Sequence, residues 1–238
     1  MGIQAGARAL IVLAKAPVAG VAKTRLTPPL TPEEAATFAA ASLADMLAIG
    51  QAVPDCEKIL FHPAGAGNAI RAALGEHLAP PMRTLSASES GDVGAAMSAA
   101  MASIFAGGTR QVALVGSDLP SLPPAHITAA FAALDAGADV ALGPAEDGGY
   151  YLVATRQPRP ELFVGIAWST PAVFAQTAAR AHDAGLTLAS IPPWYDIDSA
   201  PDLLRCARDL AVTPTHPARA TRAFLAAIMP RLLAGERI

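Results

Sequence analysis

The sequence predicts an α/β/α sandwich, a mainly parallel mixed sheet with helices on both faces, formed as one domain over residues 1–238. Three observations predict it. Short apolar runs at 9–14, 58–61, 82–85, 111–115, 139–142 and 187–191 have the length of buried strands. Alanine-rich stretches of helical length separate most of them, the alternation expected of βαβ units. A chain of 238 residues, 53% of them hydrophobic and only 16% charged, also has enough apolar material for one large core.

Taken in order, the elements justify themselves locally. Thr31-Pro32-Glu33-Glu34 supplies a capping threonine, a first-turn proline and a glutamate at the third helical position, so a helix runs towards Gln51. Further helices fit 93–106, 124–136 and 171–184, the last preceded by Ser169-Thr170. In Gly91-Asp92-Val93-Gly94 the aspartate reads as a helix-start carboxylate. Asp147-Gly148 is a turn signal, after which 150–153 reads as a strand returning along the sheet. Ser199-Ala200-Pro201-Asp202 repeats the capping logic and opens a helix towards Leu210. A linker at 211–217 leads to a terminal helix, 218–234, expected to dock on the sheet.

Composition narrows the function. A net charge of −3 and the lack of a polybasic run argue against a nucleic-acid partner. Cys56 and Cys206 are too few for a disulfide framework, and the five histidines are too scattered for a zinc cluster. The first apolar run is too short to span a membrane and lacks a signal-peptide cleavage pattern, so no membrane partner and a cytoplasmic location are expected.

Four segments carry candidate chemistry. The chain has three lysines, and two of them flank Gly20 in the segment that leaves the first strand, Lys15 to Leu26. Ligands bind beyond the carboxyl ends of strands in open α/β sheets. Gly20 would let the backbone approach an anion, while Lys15, Lys23, Thr24 and Arg25 would hold phosphates. The competing reading is a solvated loop. Next, the strand at 111–115 ends in Gly116-Ser117-Asp118-Leu119-Pro120. Asp118 there is either a turn former before the proline or a ligand for Mg²⁺ or Mn²⁺, and in the metal reading Asp118→Asn should leave the fold intact.

In Trp194-Tyr195-Asp196-Ile197-Asp198-Ser199 the two aspartates alternate, so an extended backbone projects both to one side. Either would complete a two-carboxylate metal site, or both merely precede the next helix. Finally, in Gly143-Pro144-Ala145-Glu146-Asp147-Gly148-Gly149-Tyr150-Tyr151, the glycines and Tyr150 form either a substrate wall or a plain hairpin turn. Glu146 and Asp147 would accept sugar hydroxyls or act as base. Trp168 faces a ligand or the core. Gly94 is a candidate for close approach by a base or ribose.

Together these motifs resemble a bacterial glycosyltransferase-like family, formerly a domain of unknown function, associated with radical-SAM and selenium-related genes. It belongs to the nucleotide-diphospho-sugar transferase superfamily, with the GT-A fold. The resemblance runs from about Leu10 to Leu204, and Gly143 to Tyr151 is its most specific string. It implies a nucleotide over the carboxyl edge of the sheet, phosphates on Lys15, Lys23 and Arg25, and a metal on Asp118 with one late aspartate. The chain departs from the family where Ala95 and Ala96 replace a basic residue.

The implied partners are a nucleotide or nucleotide-sugar and a small-molecule acceptor. Glycosyl transfer from a nucleotide-diphospho-sugar stands first on family grounds, with Lys23, Asp118 and Asp147 as the catalytic set. Nucleotidyl transfer from an NTP to a phosphorylated acceptor uses the same rim and is the close alternative. A nucleotide-binding protein without catalysis is the third reading.

Overall fold

In the computed structural model, which describes residues 7–75, 82–87 and 92–235, β1 (Arg8–Leu13) pairs in parallel with β2 (Cys56–His62) on one side and β4 (Gln111–Gly116) on the other. The chain therefore winds outward from β1 in both directions. Beyond β2 lies β3 (Arg83–Ser86), also parallel. On the other side β6 (Tyr150–Thr155) is inserted antiparallel between β4 and β5 (Val140–Pro144), and β7 (Leu188–Ser190) closes the edge parallel to β5. The order across the seven strands is β3-β2-β1-β4-β6-β5-β7. The mixed, mainly parallel sheet expected from the sequence is the one observed.

Alternation along β1 assigns the two faces. Leu10 and Val12 point into a core with α1 (Pro32–Gln51), α2 (Gly67–Leu74) and α4 (Pro124–Asp135). Ala9 and Ile11 point the other way, against α3 (Val93–Ala106) and α5 (Val173–Asp183). All four β1 residues are buried, as a strand covered on both faces requires.

Local signals held at most helix starts. Thr31 Oγ1 accepts from Glu34 N–H at 3.2 Å while the Glu34 carboxylate accepts from Thr31 N–H at 2.9 Å. Asp92 caps α3 by accepting from Ala95 N–H at 2.8 Å. Asp202 accepts from Ser199 N–H and Oγ at the start of α6 (Ala200–Val212). The helix expected from 171 begins later, at Val173, because residues 171–172 form a turn in which Val173 N–H donates to the Thr170 carbonyl. Gly91 lies outside the described residues.

The terminal helix departs from expectation. α7 (Arg219–Gly235) packs on α1 and α6 in a third cluster that includes Leu26, Phe38, Leu203, Cys206, Phe224 and Leu225. It docks on helices because α1 already covers this part of the sheet. Asp45 of α1, 2% exposed, fixes the docking by accepting from Ala220 and Thr221 N–H at 3.0 and 2.7 Å. A carboxylate from one helix thus satisfies the free donors at the start of another. Among the described residues no helix is long and apolar enough to cross a membrane.

Candidate functional site

The register of two strands builds the site. Leu13 of β1 lies opposite Gly116 of β4. Each chain continues two residues past that pair, to Lys15 and to Asp118, and the Lys15 ammonium donates to Asp118 Oδ2 at 2.7 Å. This is the point where the winding direction of the sheet reverses, the place where ligands gather in open α/β sheets.

The first loop then folds back on itself. It turns at Gly20 (φ 75°), where a Cβ would meet nothing within 4 Å, and passes through a 3-10 turn at Thr24–Leu26. Leu26 is fully buried and pins the return of the loop. Lys23, just before that turn, holds a left-handed backbone with φ 50°. Its ammonium lies 3.0 Å from Asp118 Oδ2, 3.0 Å from Asp198 Oδ1 and 2.6 Å from the Ile197 carbonyl. The Lys23 side chain is only 5% exposed, whereas those of Lys15 and Arg25 are 69% and 82% exposed. Arg25 stands 3.7 Å from Asp198 Oδ2.

The late aspartates arrive on an extended segment added to the end of the sheet. Trp194 bridges Ala145 in parallel, and Ile197 N–H donates to the Asp118 carbonyl at 3.1 Å. Tyr195 and Ile197 are buried in the α1/α6/α7 cluster, which turns Asp196 and Asp198 the other way. Behind them Arg205 lies over the Tyr195 ring at 3.8 Å, and the Tyr195 hydroxyl donates to Asp209 at 2.6 Å.

Electrostatics separate the carboxyls. Burial pushes the Asp118 carboxyl up, but the Lys23 and Lys15 ammoniums together outweigh it and hold it below the usual range. The Asp118 charge in turn raises Lys15. Asp196 is pushed up to about 7, by burial first and by the Asp118 charge second, with Asp147 and Asp198 adding to the effect.

A test of stability follows. A carboxyl with a raised folded-state value binds its proton more tightly in the folded protein. Its contribution is therefore fully present below about pH 4 and is lost as the pH rises to 7. Asp196→Asn removes that loss, so its advantage over the parent should grow from pH 4.5 to pH 8 by on the order of 2 kcal/mol. Urea unfolding at the two pH values checks this. An unchanged difference in stability would show that Asp196 ionises without penalty.

A cleft of about 790 Å³ opens over this rim, lined by Lys15, Lys23, Thr24, Arg25, Asp147 and Asp198. Pro63, Ala64, Gly65, Ala66 and Ala69, not singled out in the sequence, complete its far wall together with Ser169, expected only at a helix start. The signal that would have found the first four is the one used for Lys15, namely a glycine-containing turn at the carboxyl end of a parallel strand. Another cleft, about 750 Å³, opens at the opposite rim, where Arg8 is tied to Asp135 and Gln111.

Three expected site residues are engaged elsewhere. Both Glu146 oxygens accept from the Arg205 guanidinium, at 2.7 and 2.9 Å, and those bonds hold its carboxyl below the usual range. Paired with an arginine and outside the cleft lining, Glu146 is the weaker of the two carboxylates for proton abstraction. The space over Gly94 is filled by the Trp168 indole: a Cβ there would lie 2.4 Å from its Cζ2. Gly94 thus makes room for a side chain, and Trp168 packs edge-on against Tyr150 and the α3/α5 core. Asp147, by contrast, remains on the cleft, its Oδ1 accepting from Gly149 N–H at 2.9 Å. Gly148 has φ 90° and sits directly against the Pro171 backbone.

Among the described residues no three His, Cys, Asp or Glu side chains are grouped to hold a metal ion. Mg²⁺ and Mn²⁺ need fewer, since such hard cations take one or two carboxylates and complete their shells with phosphate and water. Asp198 supplies hard oxygens on the cleft and Asp118 supplies them from a buried position beside it, and Asp196 is a half-buried carboxyl whose ionisation an added cation would favour. The donor set fits.

Comparison with known proteins agrees with this fold. A solved structure of a candidate nucleotide-diphospho-sugar transferase from Desulfovibrio desulfuricans G20 is similar at 28% identity, over 94% of this chain and 96% of that one, with a TM-score of 0.85. The inositol-1-phosphate CTP transferase from T. maritima shares the fold at 14% identity (92% and 98% covered, TM-score 0.55). So does a CMP:2-keto-3-deoxy-manno-octonic acid synthetase complexed with CTP, at 13% identity (87% and 99% covered, TM-score 0.55). No curated protein sequence matches. A family model described as "Uncharacterized protein conserved in bacteria (DUF2064)" matches residues 46–170. That stretch holds Asp118 and the Gly143–Tyr151 string and makes up more than half of the chain. With its fold that of the nucleotide-diphospho-sugar transferases, the chain belongs to the DUF2064 family.

Proposed function

We propose that the protein is a metal-dependent, nucleotide-utilising transferase that works at the carboxyl rim of its sheet. One observation carries the reading: Lys15, Lys23 and Arg25 of the first loop and Asp198, 175 residues after Lys23, line one cleft, with the buried Asp118 carboxylate paired to both lysines. A candidate nucleotide-diphospho-sugar transferase and a CTP-complexed synthetase with this fold support it.

Within that class the geometry favours nucleotidyl transfer. An acceptor phosphate oxygen attacks the α-phosphorus of a nucleoside triphosphate, a new P–O bond forms, and the bond to the departing pyrophosphate breaks. Charge spreads over the phosphoryl oxygens and the leaving group, so cations matter more than a base. Lys15 and Arg25 line the cleft with side chains 69% and 82% exposed, open to a phosphate, and Lys23 and Thr24 line it as well. A divalent cation held by Asp118 and Asp198 would screen phosphate charge. Glu146 is paired with Arg205 and does not line the cleft, which leaves Asp147 as the better-placed base and weighs against an inverting glycosyl transfer. Asp147 keeps that second reading open, because it lines the cleft and is not ion-paired among the described residues.

Calorimetric titration with NTPs, NDPs and NDP-sugars in the presence of Mg²⁺ or Mn²⁺ decides between the two. The expected result is tighter binding of one NTP than of its NDP, with pyrophosphate released when a phosphorylated acceptor is added. NDP-sugars binding at least as tightly as every NTP would reverse the order. Equal affinity with and without the cation would remove the metal.

A further inference from the structure

The Lys23 ammonium donates to the Ile197 carbonyl and to Asp198 Oδ1 and lies 3.0 Å from Asp118 Oδ2, so three oxygens surround it within 3.0 Å. An ammonium has three donors and no more. In this arrangement the Lys23 charge is buried and committed to two carboxylates, unlike those of Lys15 and Arg25, which reach the same carboxylates from solvent. The placement is also built into the backbone. Lys23 occupies the left-handed region with φ 50°, disfavoured for a residue with a Cβ, between the Gly20 turn and the buried Leu26. Its side chain is buried, so the charge sits in the gap between the two carboxylates.

From this we infer that the Lys23 ammonium is a tethered cation occupying the position between Asp118 and Asp198 that a divalent ion would take, so that the two compete for one place. In the empty protein Lys23 neutralises the carboxylates and keeps the rim folded. A divalent cation arriving with a nucleotide takes over those oxygens and frees the ammonium, whose donors then become available to phosphate. The cleft thereby resists free metal and accepts the metal–nucleotide pair, because only that pair offers the displaced lysine a new anion. The inference rests on the metal reading above and adds to it an order of exchange.

The two lysine roles predict opposite signs for one measurement. Mn²⁺ binding to the full chain without nucleotide is followed by electron paramagnetic resonance, in the parent and in Lys23→Met. If Lys23 competes, its removal vacates the position, and Mn²⁺ should bind about tenfold more tightly, as expected when a competing occupant fills a site most of the time. Thermal melting should show Lys23→Met less stable than the parent without metal and restored by saturating Mn²⁺. Lys23→Gln, which keeps donors but not charge, guards against misfolding of the methionine variant and should move in the same direction. Lys15→Met, which leaves the gap filled, should give a smaller change than either.

Unchanged or weaker Mn²⁺ binding in both Lys23 variants, while the parent still binds Mn²⁺ together with an NTP, would overturn the competition but leave the metal reading standing. No Mn²⁺ binding by any form, with or without NTP, would overturn both.

Discussion

Asp118→Asn is expected to weaken Mn²⁺-dependent nucleotide binding about a hundredfold and, in the same protein, to lower stability by about 2–3 kcal/mol. The double effect follows from its neighbours. Asp118 is 8% exposed and holds both Lys15 and Lys23, at 2.7 and 3.0 Å. Losing its charge leaves the buried Lys23 ammonium with Asp198 and one carbonyl, and an uncompensated buried charge costs several kcal/mol when the remaining partners are imperfect. Read from sequence as a free rim carboxylate, Asp118 could be neutralised with the fold unharmed. The structure corrects this, since the carboxylate is also the anion of a buried cluster. Urea unfolding measures the loss of stability, and calorimetry at a temperature where both proteins are fully folded measures the loss of nucleotide affinity. Unchanged Mn²⁺-dependent affinity in the folded variant would remove Asp118 from the cation site.

Gly148→Ala should be more damaging to stability, by about 3 kcal/mol or more. Two penalties add. Gly148 has φ 90°, where an L side chain is strained, and an added Cβ would lie 2.2 Å from the Pro171 carbonyl oxygen and 2.7 Å from its Cα. Neither atom belongs to a flexible side chain, so backbone must move. The Gly148 carbonyl also accepts from Phe174 N–H at 2.9 Å, at the start of α5, so the shift would disturb that helix. Asp147 and Ser169, both on the cleft, would move with it. Gly20→Ala is the internal control: its φ is 75°, but nothing lies within 4 Å of the new Cβ. It should show the backbone penalty alone, about 1–2 kcal/mol. Chemical denaturation of the two variants side by side separates strain from collision. Equal losses would mean that the contact with Pro171 relaxes freely.

Several features were legible because they depend on neighbours in sequence. The capped start of α1 at Thr31, the Asp92 cap of α3 and the apolar runs of β1 and β4 each arise within a few residues. So does the alternation that turns Asp196 and Asp198 away from Tyr195 and Ile197. The rule that ligands gather beyond parallel strand ends located the Lys15–Arg25 loop and Asp118 on one rim. Applied once more, to the turn after β2, it would have located Pro63–Ala66 as well.

Other features depended on contacts that no local pattern encodes. Glu146 looks like an available carboxylate until Arg205, 59 residues later, takes both its oxygens. Gly94 looks like room for a ligand until the Trp168 ring fills it. The terminal helix found α1 and α6 instead of the sheet because α1 was already in the way. Hydrophobic period and capping are short-range and are written in each segment, so sequence by itself determined the strands, most helix starts and the rim that carries charge. Which charges neutralise one another depends on the register of β1 against β4 and on where a distant chain end returns. Only the tertiary structure decided that Lys23 lies between two carboxylates while Lys15 and Arg25 face the open cleft, because distance between charges exists only once the chain has folded.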